Sequence, residues 1–403
     1  MTRASDLARL MGAGGTLNAA LSVDTISEKT SGSGVTIDSL NIKDSGIGGN
    51  QIGRKNVIIN GAAQVAQRST SETGLGASGG FFTVDRFKMD FNGSAGRFTM
   101  SQSTDAPEGF ANSIKLDCTT ADTSIGASEI ALFQYMFEGQ DLQQFKKGTS
   151  GAKEFTVSFF VKGNGSATYV LELYDIDNSR QISKTFAVTS SWSKVELTFP
   201  ADTTGAFGYD ANASLNVSIW LHAGSEYTGG TLNSSAWAAQ TPANRAAGIS
   251  SFMSSTSNTF AITAVQLEVG DVATEFEHLT FDEQSSLCKR YYQQYSGFHA
   301  MGMWTFGRSN GSMQFVLEKE MRTQPTSSYS GTLGDLSSTT ECGIYDTDWV
   351  TISTLSFSST AAASNSKMMR LDSSHPSNTF ASNNVAVGFY AGDDFDLIFD
   401  AEL

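Results

Sequence analysis

Two short acidic stretches are the places where this sequence could hold a metal ion. Asp175 and Asp177 lie in YDIDNSRQ, and a second run, GDDFDLIFD, lies near the end of the chain. Closely spaced carboxylate oxygens suit calcium, but a calcium-binding loop favours glycine where Arg180 stands. Solvated acidic turns are the alternative for both stretches. Asp175 and Asp177 are therefore retained as candidate metal ligands beside an ordinary hairpin turn.

Aromatic side chains between strands are candidates for sugar binding, because rings stack on sugar faces while polar side chains bond the hydroxyls. The longest interruption of regular alternation is 223–257, and loops of this length are often functional. Trp192 and Trp220, outside that loop, are predicted to pack in the core. The predicted glycan-binding residues, all in the loop, are Tyr227, Trp237, Asn233 and Asn244.

Catalytic motifs are missing from the sequence. There is neither a GxSxG elbow nor a P-loop, and none of the 41 acidic residues is singled out by a local motif as half of a carboxylate pair. The 3 cysteines and 4 histidines are dispersed without the spacing of a zinc site. The sequence therefore predicts a protein that is not an enzyme and has no cofactor.

Charge and composition exclude several kinds of partner. The formal net charge of −15 argues against the broad basic surface that nucleic acids require. No apolar run approaches the roughly 20 residues of a membrane helix. The opening stretch MTRASDLARLMGAGG lacks the apolar middle of a secretory signal. We therefore expect no nucleic-acid partner, no membrane insertion and synthesis in a cytoplasm without a membrane anchor.

Alternation with a period of two dominates residues 56–278. In EFTVSFFVKG, for example, every second side chain from Phe155 to Val161 is apolar. Repeated stretches of this kind, separated by Gly, Ser, Thr and Asn, indicate strands with one buried face. The pattern predicts an all-β protein built on an antiparallel β-sandwich, and no stretch supports a βαβ unit.

The last part of the chain repeats the pattern on a smaller scale. DEQSSLCKRYYQQY, at 282–295, predicts a short helix that passes into a strand. Alternation then resumes from about residue 296 with long Ser/Thr-rich turns, which predicts a smaller second β domain. We place the sandwich domain at 56–284 and the C-terminal β domain at 285–403.

Residues 1–55 differ from everything after them. SDLARLMGAGG predicts one short helix, and brief alternations at 35–37 and 40–42 are cut by Gly and Ser. This apolar content is too thin for an independent core, and ordering costs about 1–2 kcal/mol per residue. We expect the segment to pair with copies of itself or with a larger assembly.

Five stretches in fixed order span about 56–295: NVIINGAAQVAQRST, FTVDRFKMD, FEGQDLQQF with AKEFTVSFFVKG, ITAVQLEVGDVATEFEH, and LCKRYYQQY. Together they resemble a family of phage virion appendage proteins of the tail-fibre type, abundant in marine phages, with a jelly-roll domain similar to carbohydrate-binding modules. Phe87 stands where the family pattern has tryptophan.

The resemblance implies a function and a setting. It implies a jelly roll, a virion location after assembly in the host cytoplasm, and a tail or head fibre that recognises host-surface polysaccharide without cleaving it. It also implies a homotrimer attached to other virion proteins through residues 1–55, and it allows one structural calcium ion. The alternative is a purely structural capsid decoration or tail connector without glycan affinity. A depolymerase ranks third.

The resemblance also gives a structural role to the first of these stretches, NVIINGAAQVAQRST at 56–70, which we call the opening motif. In a jelly roll of this kind, residues 57–59 are expected to form the first strand and to pair near the closing strand at 262–267, with Asn60-Gly61 as the turn. The polar segment that follows is expected to cross the surface. There Arg68 would pair with Glu268 or Asp85.

Overall fold

The chain forms two compact units, Met1–Lys55 and Asn56–Leu403. The computed structural model describes residues 54–297, 301–305, 309–334, 336–346, 349–357, 364–374 and 386–403, and the backbone of four short strands between 35 and 51. The helix predicted in SDLARLMGAGG lies outside the described residues. The anchoring and trimerisation roles of 1–55 and the boundary at 284/285 stay predictions.

Four strands are described in the first unit, and each pairs antiparallel with the next. The first two form where the sequence shows its two brief alternations. The strands are β1 (Val35–Ile37), β2 (Leu40–Lys43), β3 (Gly46–Ile47) and β4 (Asn50–Gln51).

An antiparallel β-sandwich of jelly-roll type forms the larger part of the second unit, which confirms the predicted fold class. Its strands are β5 (Ser71–Leu75), β6 (Gly80–Phe81), β7 (Lys88–Asn92), β8 (Arg97–Ser103), β9 (Ser113–Thr120), β10 (Ile130–Glu138), β11 (Phe155–Gly163), β12 (Ala167–Asp175), β13 (Arg180–Val188), β14 (Ser193–Phe199), β15 (Ala213–Ala223), β16 (Ala238–Ala239) and β17 (Thr259–Val269).

Two sheets face each other across the core. Within the described residues, one sheet has the strand order β14-β11-β17-β9-β8-β5, and the other has the order β16-β13-β12-β15-β10-β7-β6. We call them the six-stranded and the seven-stranded sheet. Phe155, Val157, Phe159 and Val161 are fully buried between them, as their alternation predicts. The large apolar side chains of both inner faces stabilise the sandwich by about 1.5–3 kcal/mol each.

The opening motif runs beside β17, as expected, but residues 57–59 do not form a regular strand there. Val57 N donates to Leu267 O at 3.1 Å, and Val265 N donates to Gly61 O at 2.9 Å. A Cβ on Gly61 would lie 2.1 Å from Val265 O, so only glycine allows this approach. Asn60 adopts a left-handed φ of 63° at the turn.

Polar side chains of the motif form hydrogen bonds with backbone groups that have no partner in a neighbouring strand. Buried Asn60 accepts from Gln64 N and Val65 N through Oδ1 and donates to Val65 O through Nδ2. Arg68 lies 3.7 Å from the ring centre of Tyr292 and 3.9 Å from Asp85 Oδ1, one of its two expected partners. Its nearest carboxylate is instead Asp400 at 3.1 Å, and its side chain is only 9% exposed and not on the open surface. Burial raises the pKa of Asp85 to about 6, although Arg68 lowers it.

The C-terminal part begins with the predicted helix and strand. Helix α2 (Phe281–Cys288) starts with a capping box between Thr280 and Glu283, and a strand follows at Tyr292–Ser296. A shorter helix in the long loop, α1, spans Ser225–Thr228. Three 3-10 turns lie at Gly139–Phe145, Pro242–Asn244 and Phe252–Ser254.

Two further sheets follow and enclose a second apolar core around Phe315, Leu371 and Phe399. Their orders are β18-β28-β21 and β22-β23-β27-β19-β20-β26-β25, with β24 on β23. The strands are β18 (Tyr292–Ser296), β19 (Met301–Thr305), β20 (Asn310–Val316), β21 (Thr326–Ser330), β22 (Thr332–Leu333), β23 (Glu341–Tyr345), β24 (Trp349–Val350), β25 (Thr354–Phe357), β26 (Met368–Ser374), β27 (Ala386–Ala391) and β28 (Asp396–Asp400).

Candidate functional site

The long loop between β15 and β17 covers part of the outer face of the seven-stranded sheet. Trp220 and Val170, whose side chains point away from the main core, are fully buried beneath it. The Tyr227 ring of the loop lies 5.2 Å from the Trp220 ring, and Ala246 completes the apolar cluster. The prediction that Trp220 packs in a core is therefore confirmed, but the core is a small one outside the sandwich.

A buried ion pair fixes the loop to this face. Arg245 donates from Nε and Nη2 to the two carboxylate oxygens of Glu172 at 2.8 and 2.7 Å, and Trp220 Nε1 donates to the same carboxylate at 3.1 Å. The guanidinium carbon lies 5.0 Å from the ring centre of Tyr174. Burial lowers the pKa of Arg245, but Glu172 outweighs that effect and the net shift is upward.

A second buried carboxylate on the same face meets the C-terminal part. Glu138 accepts from Arg290 at 2.8 and 2.7 Å and from the Tyr291 hydroxyl at 2.6 Å. Burial raises the pKa of Glu138, yet the hydrogen bonds from Arg290 and Tyr291 outweigh burial and hold the pKa below its ordinary value. Structural contacts therefore occupy this face of the sheet at both Glu172 and Glu138.

The structure does not bring the predicted glycan-binding residues together as an open site. Trp237 is only 7% exposed, packs 5.6 Å from the Phe155 ring and donates from Nε1 to Pro200 O at 2.9 Å. A ring buried on the main core has no free face for a sugar, so the stacking role expected of Trp237 does not fit. Tyr227 is half-buried against Trp220.

The two predicted asparagines hold the loop itself. Asn233 O accepts from Ser183 N at 2.9 Å, and Asn244 Oδ1 accepts from Thr231 N at 3.0 Å. The side-chain amide of Asn244 therefore stabilises the loop through a hydrogen bond within the loop.

The predicted metal ligands have other partners. Asp175 is buried and lies 2.5 Å from Lys147 Nζ, and Asp177 accepts from Gly208 N at 2.8 Å. The Lys147 ammonium lies 3.1 Å from Asp202 as well. The ammonium thus balances the charge of the Asp175 carboxylate, and a calcium ion at Asp175 and Asp177 stays a prediction.

An aromatic pocket of about 410 Å³ opens on the outer face of the six-stranded sheet. The Phe110 ring lies 5.2 Å from Phe276, 5.1 Å from His278 and 5.8 Å from Phe160. The four rings are exposed or half-buried. The volume and lining match the range of small-ligand sites.

Polar groups of both charges surround these rings. Glu108, Glu275, Lys194 and the Ser158 hydroxyl line the same pocket. The carboxylates accept and the ammonium donates, so the pocket can bond a ligand whose hydroxyls do both.

Trp192 stands on the same sheet face and is half-buried. Its Nε1 donates to Asp105 at 3.0 Å, so the prediction that it packs in the core is wrong.

A β-bulge shapes the floor of the pocket. Between β11 and β17 the pairing shifts after Ser158, and Ala264 takes a left-handed φ of 56°. The opening motif contacts this bulge through two hydrogen bonds. Val265 N donates to Gly61 O, and Val265 O accepts from Asn56 Nδ2 at 3.2 Å. Strained non-glycine residues of this kind are frequent at functional sites.

The sequence pattern does not predict the pocket, although it contains one signal of it. Phe160 occupies the polar parity of EFTVSFFVKG, where a strand with one buried face has no reason to place a phenylalanine. Phe110 comes from the loop between β8 and β9, whereas Phe276 and His278 come from the segment after β17, and only the fold joins the two.

A second cluster that the sequence did not indicate lies at one end of the sandwich. His222 Nε2 lies 3.3 Å from Glu129 Oε2, and a carboxylate oxygen of Asp122 lies within 4.8 Å of both. Burial raises the pKa of Asp122, but hydrogen bonds from Ala95 N, Ser94 Oγ and Ser124 N outweigh it, and the net shift is downward.

Comparison with known proteins gives distant likenesses only. No protein-family model matches the sequence, and no curated protein matches it either. The enzymatically active domain of tailspike protein 4 from bacteriophage CBA120 is 13% identical over 53% of this chain and 21% of that one, with a TM-score of 0.27. Only about a fifth of the tailspike chain is thus covered.

Two carbohydrate-binding modules are similar over almost their whole length. A family 11 module from Clostridium thermocellum, solved with a β-1,3-1,4-mixed-linked tetrasaccharide, is 10% identical over 51% of this chain and 99% of its own, with a TM-score of 0.25. A family 61 module, solved with β-1,4-galactotriose, is 11% identical over 54% and 99%, with a TM-score of 0.26. Likenesses this distant do not identify a ligand or an activity for this chain.

Helices in the described part of the chain are short or polar, and none there has the length and apolar character to cross a membrane.

Proposed function

We propose that this protein is a phage virion appendage, a tail or head fibre, that binds host-surface polysaccharide in the aromatic pocket without cleaving it. The observation that carries glycan binding is the group of Phe110, Phe160 and Phe276 around one open pocket with polar groups of both charges. The virion setting rests on the sequence resemblance. The fibre is a homotrimer joined to other virion proteins through residues 1–55.

The physical argument concerns sugar rings. Their faces carry C–H groups that pack on aromatic rings, while their hydroxyls need donors and acceptors. The pocket offers rings beside Glu275 and Lys194, which supply an acceptor and a donor. A single open pocket binds weakly, and a trimer gains avidity of roughly 10² or more when several sites engage one polysaccharide.

Hydrolysis is the second candidate, because two carboxylates, Glu108 and Glu275, line the same pocket. A glycosidase pair needs one carboxyl held as an acid, usually by burial in apolar surroundings. Both side chains here are exposed, so the arrangement favours binding over cleavage.

The experiment is a glycan array with purified host polysaccharides, read for both binding and release of reducing sugar. We expect binding of the full chain to at least one polysaccharide, no new reducing ends, and binding weakened by Phe276→Ala. Tyr209→Ala is the matched control, because Tyr209 is an aromatic residue 81% exposed outside the pocket. Reducing sugar released by wild type and not by Glu108→Gln would establish a depolymerase. Absence of binding to any host polysaccharide or host cell would leave a purely structural decoration or connector.

The trimer is tested separately by the native mass of the full chain. A stable monomer at micromolar concentration would contradict it.

A further inference from the structure

The cluster of His222, Glu129 and Asp122 brings the imidazole of one distant strand beside two carboxylates of a single loop at 121–129. His222 lies near the end of β15, Asp122 lies in the loop between β9 and β10, and Glu129 directly precedes β10. The His222 side chain has no exposed surface, and Glu129 is 14% exposed. The three groups have no part in the aromatic pocket.

Hydrogen bonds orient the donors of this cluster. His222 Nδ1 lies 2.7 Å from Ser251 Oγ, which leaves Nε2 facing Glu129. Nδ1–H donation to the hydroxyl makes Nε2 an electron-pair donor. Metal-binding imidazoles are oriented by a second partner in this way.

The Asp122 carboxylate is held even more firmly. Its Oδ2 accepts from Ala95 N at 2.7 Å and from Ser94 Oγ at 3.1 Å, and its Oδ1 accepts from Ser124 N at 3.2 Å. A carboxylate held by donors on one side and facing an imidazole on the other is oriented toward a cation at this place.

We propose that His222, Glu129 and Asp122 form a binding site for a divalent transition metal ion, with zinc as its best representative. Ligand atoms about 2.0–2.1 Å from a tetrahedral zinc ion are roughly 3.3 Å from one another. The 3.3 Å between His222 Nε2 and Glu129 Oε2 equals that separation, and the Asp122 oxygen within 4.8 Å needs a small approach.

The donor set distinguishes the class of metal. Calcium takes 6–8 oxygen ligands, and magnesium prefers oxygen and retained water. A buried imidazole beside two carboxylates instead suits zinc and its neighbours among the transition metals. A neutral imidazole and two carboxylates carry two negative charges, which a divalent ion balances.

The site would join separate segments at one end of the sandwich. Asp122 N donates to Met253 O at 2.7 Å and Ser94 Oγ contacts Asp122, so the turns at 94–96 and 252–254 meet the same group. A metal bound there stabilises the folded state in proportion to its concentration over its dissociation constant.

The test is calorimetric titration of the chelator-treated full chain with zinc alone, and thermal unfolding with zinc, calcium or magnesium. We expect one zinc ion per chain, a melting temperature that rises with zinc and not with calcium or magnesium, and a cobalt(II) absorption band of four-coordinate intensity. Glu129→Gln and His222→Gln should abolish this binding, and Ser251→Ala should weaken it about 10–100-fold. Glu226→Gln, which removes a nearby exposed carboxylate, should bind zinc like wild type.

Zinc binding retained in folded Glu129→Gln, or absent from wild type, would overturn the proposal and leave a hydrogen-bonded cluster of structural role only. An equal response to calcium would overturn the class of metal. If His222→Gln fails to fold, Glu129→Gln still decides, because Glu129 has only its contact to His222 among the described side-chain hydrogen bonds.

Discussion

The two outer faces of the sandwich carry aromatic residues in different ways. On the seven-stranded sheet, Trp220 and Tyr174 lie under the long loop, and Arg245 and Glu172 close that contact. On the six-stranded sheet, Phe110 and Phe160 stay open around a pocket. An aromatic side chain in or near a long loop is therefore not by itself a ligand site. The loop covers Trp220 and Tyr174, which are therefore structural. In the described part of the chain, no such loop covers Phe110 and Phe160, which stay accessible to a ligand.

The largest expected effect comes from removing the arginine on the covered face. Arg245→Ala leaves the Glu172 carboxylate, which has no exposed surface, without its guanidinium. Breaking a buried pair in this way costs about 3–5 kcal/mol of unfolding free energy, to be measured by urea denaturation. Lys194→Ala on the open face is the control and should stay within about 0.5 kcal/mol of wild type. Equal losses for both variants would remove the energetic difference between the faces.

A smaller effect, dependent on pH, is expected at Glu138 on the covered face. Its pKa in the folded state is lower than the ordinary pKa of glutamate. The ion pair therefore stabilises the folded state fully at pH above the ordinary pKa, and this stabilisation is lost as pH falls through the folded-state pKa. Glu138→Gln should therefore be less stable than wild type at pH 7 by about 1–3 kcal/mol, with the difference shrinking toward pH 3. Urea midpoints across this range measure it. A difference that is constant with pH would contradict the assigned ion pair with Arg290.

The smallest effect is expected at the bulge in the pocket floor. Ala264 holds a left-handed φ, which costs a non-glycine residue about 1–2 kcal/mol. Ala264→Gly should relieve most of this strain and raise stability by about 1 kcal/mol, measured by thermal unfolding. A loss of stability instead would mean that the alanine methyl contributes more by packing than the backbone costs.

The sequence alone predicted the sandwich because alternation records which side chains of a strand face the core, as Phe155 and Val157 do. The resemblance to phage appendage proteins predicted that residues 57–59 lie near the strand at 262–267, and Val57 does contact β17. It could not predict which outer face is covered, because that depends on where the 223–257 loop folds. Trp237 therefore looked available when it is buried. The pocket and the His222 cluster were out of reach for a related reason, since their members come from segments that only the fold brings together.

The affinity of the full chain for its strongest-binding host polysaccharide, measured for four proteins in parallel, tests the central claim most directly. The proteins are wild type, Phe110→Ala, Phe160→Ala and Tyr227→Ala. We predict a roughly tenfold loss of affinity, about 1.4 kcal/mol, for each pocket variant. Tyr227→Ala should bind like wild type, because Tyr227 packs against Trp220 under the loop. Unchanged binding by Phe110→Ala and Phe160→Ala with a loss for Tyr227→Ala would place recognition on the covered face and contradict the account.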